Sequence, residues 1–355
     1  MSDSAAHNLL GHTLEGGWEV IEKLDKDSYK DGTLKTGGTF SVCYIVRNKK
    51  IAKDAFLKAL DYDQALKSPD IPLAFQAMTN AFIFERDLLY KCRNHRLSNV
   101  VKPITHGSLI LPVLVGVPNV SYIILEKADS DLREWTSHRD SMEISLRLRV
   151  IHQIAKGIKQ LHSRSIAHQD IKPSNSMIFA RAEAKIGDLG CCSVKGESCP
   201  RDGLEFAGDP RYTPPELLYG YVDPQWEVRR FGCDMYQLGC LTIYILTFYD
   251  LNTLIRTNLP PKSRWGKDQY IVYPIVIDEL VHAWELALMD VKKAINQFTP
   301  HLAEELVSVI EQLTHPSPDL RGDPLNRRFN MNPFDFERYI SRFDRLSRRA
   351  LFLKG

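Results

Sequence analysis

Apolar positions along this chain follow two periods, and the dominant period changes after the first third. "WEVIEKL" (18–24), "FSVCYIV" (40–46) and "AFLKALD" (55–61) are short runs of strand length and predict three β-strands. A polar, glycine-bearing stretch, "DKDSYKDGTLKTGGT" (25–39), separates the first two and is long for a hairpin. Residues 72–93, centred on "AFIFERDLLYKC", have helical spacing, and "GSLILPVLV" (107–115) and "VSYIILE" (120–126) predict two further strands. Beyond Glu126 the period is helical: "LRLRVIHQIAKGIKQLHS" (146–163), "CDMYQLGCLTIYILTF" (233–248), 276–297, 302–313 and 333–349. The pattern predicts an α+β protein, strand-rich with one helix first and mainly helical afterwards, with the boundary at the polar stretch "EKADSD" (126–131).

Composition narrows the class without naming it. The 355 residues are 44% hydrophobic and 25% charged, an ordinary globular balance, and a net charge of +2 gives no reason to expect nucleic acid as a partner. The longest apolar run, "LGCLTIYILTFY" (238–249), is too short for a membrane span and predicts a buried core helix. "MSDSAAHNLLGHTLEGGW" lacks the basic start and apolar core of a signal peptide. Seven irregularly spaced cysteines do not form a disulfide framework, and Cys191, Cys192 and Cys199 lack the ligand spacing of a zinc site. A cytoplasmic protein with reduced thiols is expected.

Chemistry concentrates in "IAHQDIKPSN" (166–175), a loop leaving the helix that ends near His162. Asp170 can hold or accept a hydroxyl proton, Lys172 can neutralise anionic oxygens beside it, and Asn175 offers a carbonyl to a hard cation. Asp188, in "KIGDLG", follows a short strand and supplies a second oxygen donor on a turn. Upstream, Lys58 lies in a strand and Glu85 in a helix. A buried lysine requires an anionic partner, because an unmatched buried charge is costly.

These residues, with "GDPRYTPPE" (208–216), "CDMYQLG" (233–239) and "PSPDLRG" (316–322), resemble the eukaryotic-type (Hanks-type) serine/threonine protein kinase family over Trp18–Arg321. The resemblance implies a bilobal fold: a leader (1–17), a small sheet lobe with one main helix (18–127), a larger helical lobe (128–332) and a basic C-terminal helix (333–355). It implies ATP and Mg2+, or Mn2+ in its place, with phosphoryl transfer to protein hydroxyls. Lys58 is expected to hold the α- and β-phosphates and Glu85 to keep it in register. Asn175 and Asp188 are expected to bind the metal, Asp170 to orient the acceptor hydroxyl and Lys172 to stabilise the transferring group. Gly37, Gly38, Cys43, Phe56, Glu126, Ala128 and Met177 are the expected nucleotide contacts. Arg321 is expected to pair with Glu216.

The chain departs from the family pattern at four places. Thr36 and Ser41 stand at glycine positions of the phosphate loop, leaving Gly38 in place. Phe56 shares a strand face with Lys58 where the family has alanine, narrowing the adenine roof, and the small Cys43 compensates in part. Gln169 replaces the arginine that anchors a phosphorylated activation loop, so activity is expected without that phosphorylation. Asp209 replaces a threonine, and a carboxylate there either tethers Lys172 or draws it off the phosphate. Ser193 and Ser198 are candidate autophosphorylation sites. His162 reads as an ordinary helix-end residue, and His168 as a structural brace. The C-terminal arginines read as a solvated face. The "PPE" ending and Gln169 give the segment a bacterial or phage-linked style. Regulation by a partner, a homodimer, or the inserts at 25–35 and 62–75 stays open. Two competing readings are a pseudokinase scaffold with a degenerate nucleotide pocket, favoured by Phe56 and the weak glycine loop, and a small-molecule kinase, disfavoured by Lys172.

Overall fold

The computed structural model describes residues 4–24, 41–112, 116–137, 142–266 and 271–352, without the side chain of Gln64. The loop 25–40, with Thr36, Gly37, Gly38 and Phe40, lies outside them. The chain divides into two compact units, Met1–Asp129 with Gly187–Gly190, and Ser130–Ile186 with Cys191–Gly355.

The first unit is an antiparallel sheet of β1 (Thr13–Leu14), β2 (Trp18–Leu24), β3 (Ser41–Asn48), β4 (Lys53–Leu60), β5 (Pro103–Ile110) and β6 (Asn119–Glu126), ordered β1-β2-β3-β4-β6-β5. Helices α1 (Asp63–Leu66) and α2 (Ile71–Asn94) intervene between β4 and β5. Because side chains alternate along a strand, Ala55, Leu57 and Ala59 of β4 turn to one face with Val42, Tyr44, Val46, Val120, Tyr122 and Ile124, all buried. Phe56 and Lys58 turn to the other, each half-buried. On that side, Cys43 and Ile123 pair with Lys58, and Ile45 and Leu125 with Phe56. Arg93 of α2 donates to the carbonyls of Pro103 and Ile104 on β5.

The first face is covered by the segment expected to be a leader. Ala5, Ala6 and Leu9 are buried on it, and the Tyr44 hydroxyl donates to the Ala6 carbonyl at 2.7 Å. Ser4 Oγ donates to Asp61 Oδ1 at 2.6 Å, and the His7 ring lies 3.3 Å from Asp61 Oδ2. A sheet this small has too few neighbours to bury both faces, so Ala5, Ala6 and Leu9, ahead of β1, complete its core.

The fifth strand begins and ends earlier than its apolar run. Pro112 has no N–H to donate, and Leu111 N turns to the Pro118 carbonyl. The insert at 62–75 forms α1 and the start of α2. Asp70 caps α2 by accepting from Leu73 N, and Tyr62, Phe75 and Phe82 pack with Leu60, Ala65 and Met78.

The second unit opens with β7 (Ser130–Asp131), α3 (Leu132–Thr136) and α4 (Ile144–His162), then β8 (Ile166–Ala167), β9 (Ser176–Phe179), β10 (Glu183–Ile186) and β11 (Ser193–Val194). There follow α5 (Pro215–Leu218), α6 (Trp226–Thr247), α7 (Leu251–Asn258), α8 (Tyr273–Phe298), α9 (Pro300–Thr314), α10 (Pro324–Arg328) and α11 (Glu337–Phe352). Helix α6 is buried from Arg230 to Ile243 without interruption and is the unit's axis. Gly239 lets α9 approach it, since a Cβ there would lie 2.2 Å from Thr314 Cγ2. The basic C-terminal helix α11 packs on α4, buries Tyr339, Phe343, Leu346 and Ala350, and directs Arg345 and Arg349 to Glu305. Among the described residues no single helix is long and apolar enough to cross a membrane.

The role of the N-terminal segment is open to a direct check. Leu9→Ala removes a fully buried side chain from the sheet core and is expected to cost about 2–5 kcal/mol, read as a lowered urea midpoint. The exposed neighbour Leu10, treated the same way, should leave the midpoint unchanged.

Candidate active site

In the first unit three charged side chains meet. Lys58 on β4 donates from Nζ to both carboxylate oxygens of Glu85 on α2, each at 2.8 Å, and lies 3.3 Å from Asp188 Oδ1. Helical spacing places Glu85 there: residues 85, 88, 89 and 92 share the buried face of α2, so Leu89 is core and Glu85 enters beside it. Burial alone would lower the Lys58 pKa, but Asp188 and Glu85 outweigh it and hold the ammonium charged. Asp188 has φ of 57°, a left-handed backbone unusual for a non-glycine residue. Gly190 follows so closely that a Cβ would sit 3.4 Å from Asp188 Oδ1. Glu126 closes β6, its side chain accepting from Lys102 N at 2.9 Å, and Ala128 is half-buried just beyond.

In the second unit the loop 168–175 hangs from α6. Asp234, fully buried, accepts from the backbone N–H of His168 at 2.8 Å and of Gln169 at 2.6 Å, and bonds His162 Nε2 at 2.8 Å. One helical turn later Gln237 accepts from Ile171 N and donates to the Gln169 carbonyl, both at 2.8 Å. The i, i+3 spacing aims both side chains at one short stretch of backbone. It holds Gln169 at φ of 63°, a conformation that would otherwise relax. Asp170 is thereby fixed. Its Oδ2 accepts from Asn175 Nδ2 and lies beside Lys172 Nζ, each at 2.9 Å, while Oδ1 accepts from Asp209 N at 3.0 Å. With its amide nitrogen engaged, Asn175 keeps Oδ1 as an oxygen donor, with the Ser174 hydroxyl 3.4 Å away. Met177 on β9 lies half-exposed beside the buried Ile178, on the opposite face of the strand.

The segment 191–216 answers the question left at Asp209. Its carboxylate pairs with Arg211 at 3.0 Å and accepts from Arg211 N. Burial raises its pKa, but those contacts, with the charge of Lys172, bring it below the usual carboxylate value. Arg211 is thus its bonded partner, and Lys172 pairs with Asp170. Ser193 is buried and bonded to Asp202, whereas Ser198 is exposed. Glu216 meets the fully buried Arg321 in a bidentate pair of 2.7 and 2.8 Å, and Arg321 also donates to three carbonyls and lies over Tyr236.

Three residues of this framework, two of them inside motifs quoted above, have roles that only the structure shows. Gln237 is a polar position in an apolar helix, one turn after Asp234. Gly208 passes so close to the loop that a Cβ would lie 2.3 Å from the Gln169 carbonyl oxygen and 2.8 Å from Asp170 Oδ1. His162, read as an ordinary helix end, is instead stacked on Phe231 at 3.8 Å and bonded to Asp234.

An antiparallel sheet unit carrying Lys–Glu–Asp and a helical unit carrying Asp, Lys and Asn on a loop define a kinase fold. The protein kinase domain model matches residues 35–322, and the chain belongs to that family. It is 27% identical to cyclin-dependent kinase 17 of Caenorhabditis elegans over 64% of this chain and 29% of that protein. It is 33% identical to a dual serine/threonine and tyrosine protein kinase of Gallus gallus over 36% of this chain and 13% of that protein. It is 30% identical to mitogen-activated protein kinase 6 of Arabidopsis thaliana over 49% of this chain and 43% of that protein. The chain spans less than half the length of each of these relatives. All three are eukaryotic and lend the expected bacterial affinity no support.

Two substitutions test the framework. Gly208→Ala forces the segment off the loop and is expected to destabilise by about 1–3 kcal/mol. Gly203→Ala, where a Cβ meets nothing within 4 Å, serves as the control in the same denaturation series. The second concerns His315, whose Nδ1 accepts from Ser317 N and whose backbone carbonyl accepts from Arg321. Burial and the nearby Arg321 lower its pKa to about 4. The unfolded chain therefore binds the proton first, so this residue makes stability fall as pH drops from about 6.5 toward 4. His315→Gln should flatten that part of a melting-temperature profile; an unchanged slope would count against it.

Proposed function

We propose that the protein is an ATP- and magnesium-dependent serine/threonine protein kinase. The observation that carries this reading is the Lys58–Glu85–Asp188 set, in which a buried ammonium is held charged by two carboxylates. Such a group is suited to phosphate oxygens, and Glu85 fixes its position before any ligand arrives. The relatives are named as kinases, one of them a dual serine/threonine and tyrosine protein kinase, and with Lys172 two residues after Asp170 they favour a hydroxyl acceptor on protein.

Each residue then has a defined task. Lys58 neutralises the α- and β-phosphate oxygens, and Cys43, Phe56, Glu126, Ala128 and Met177 border the nucleotide base. Gly37 and Gly38 belong to the phosphate loop by sequence. Asn175 Oδ1 and the Asp188 carboxylate are hard oxygen donors of the type magnesium or manganese takes, and they would hold the ion. When bound, the ion supplies positive charge against the phosphates. Asp170, with Oδ2 held by Asn175 and Lys172 and Oδ1 by Asp209 N, orients the acceptor hydroxyl and receives its proton. Lys172, beside Asp170, offsets charge on the transferring group. Positioning and preorganised charge supply most of the rate.

Phe56, half-buried on the Lys58 face, is the observation that favours a chain unable to seat adenine. The two readings part in one experiment. ATP with Mg2+ should raise the melting temperature of the wild type and leave Asp188→Asn unmoved. Radiolabel transfer from γ-labelled ATP to a generic basic protein should fall about 10²–10⁴-fold in Asp170→Ala. A wild type that neither shifts with ATP nor transfers label would discard the kinase reading in favour of a scaffold.

A further inference from the structure

Helix α6 carries a third polar side chain toward the loop, Arg230, and it serves a different purpose from Asp234 and Gln237. Arg230 is only 3% exposed. One of its terminal nitrogens donates to Gln169 Oε1, and the other donates to Asp202 Oδ1 at 2.9 Å. A buried guanidinium without a carboxylate would be strongly destabilising, so this pair is bound to form.

Asp202 in turn gathers its own segment. Its Oδ1 accepts from the Ser193 hydroxyl and its Oδ2 from Cys199 N at 3.0 Å, while its N–H donates to the Cys199 carbonyl at 3.1 Å. Arg229 adds bonds to the carbonyls of Asp202 and Leu204. The circuit closes where Gln169 Nε2 donates to the Cys191 carbonyl at 3.0 Å. One carboxylate therefore binds both ends of the loop 193–202 to each other. One arginine binds that loop to the residue before Asp170.

We propose that Asp202 is a positioning residue: a built-in anion, held by Arg230 and joined through that arginine to Gln169, that fixes the segment 191–209 against the Asp170 loop without any phosphate. Among the serines and threonines of 189–213, Ser193 is 1% exposed and Thr213 is buried with its hydroxyl on the Asp209 carbonyl; Ser198 alone is exposed. Arg230 already has its anion. A phosphate on Ser198 is not needed to supply one. For turnover, the inference rests on the kinase reading above.

The test uses the full chain. Asp202→Asn keeps the size and removes the charge. It is expected to lower kcat about 10- to 100-fold with KM for ATP and the ATP–Mg2+ thermal shift unchanged, and Asp202→Glu should recover part of the loss. Limited trypsinolysis, run well below the melting temperature, should cut the variant faster than the wild type after Lys195 and Arg201. Ser198→Ala should keep wild-type turnover. Wild-type kcat and wild-type cleavage in Asp202→Asn would overturn the proposal, as would loss of turnover in Ser198→Ala. If Asp202→Asn does not fold, Ser193→Ala loses one bond to the same carboxylate and should be cut faster after Lys195; an unchanged rate would overturn it. If the wild type transfers no phosphate at all, the kinase reading fails, and the trypsin rates alone decide whether Asp202 is the anchor.

Discussion

A carboxylate with no exposure to water, Asp234, sits in the most buried helix of the chain and accepts two backbone N–H groups of the loop 168–171 and the ring of His162. A buried carboxylate is tolerated only while its oxygens are bonded, so Asp234 and its three donors hold one another in place. Gln237 repeats the arrangement one turn on, and Arg230 one turn before. A single rigid helix thus dictates the backbone of the loop, the left-handed turn at Gln169 and, through Gln169, the entry to the segment 191–209. The backbone that carries Asp170 is set by Asp234 and Gln237 of α6.

The first unit uses a different device. Its sheet is too small to be stable with one face bare, and Ala5, Ala6 and Leu9 cover the face opposite Lys58. On the other face an ion pair takes the place of apolar packing: Lys58 is held by Glu85 and Asp188. A buried ion pair adds little net stability but is expensive to break. Its contribution is a charge that keeps its place and its protonation.

Alternation and helical spacing made most elements legible. β2, β4, β6 and the helices α2, α4, α8 and α9 fall where apolar positions recur with the right period, because each buries chiefly one face, and α6 is legible as a long apolar run because it is buried all round. β5 starts at Pro103, ahead of its apolar run, because Thr105 and His106 pair with β6 without an apolar period to mark them, and the end of that run, 113–115, lies outside the described residues. His162 looked like a helix end because sequence shows neither Phe231 nor Asp234 folding back onto it. The segment before β1 is not legible as core because Ala5, Ala6, Leu9 and Leu10 follow no strand or helix period. The burial of Ala5, Ala6 and Leu9 depends on a sheet face that exists only after β2, β3, β4 and β6 have paired.

Chemistry and local geometry are legible in the residues alone: a lysine in a strand, a glutamate in a helix, a loop with Asp170, Lys172 and Asn175, and the Glu216 and Arg321 that complete it. Residue type fixes charge and donor capacity, and short spacing fixes direction along an element. Tertiary structure decided the partners. Asp209 belongs to Arg211, Lys172 to Asp170, and Arg230 to Asp202 and Gln169. The partners of Arg230 lie 28 and 61 positions away, a separation across which a sequence carries no distance, whereas Asp209 and Lys172 each settle on a partner two residues away, a choice among near neighbours that packing makes.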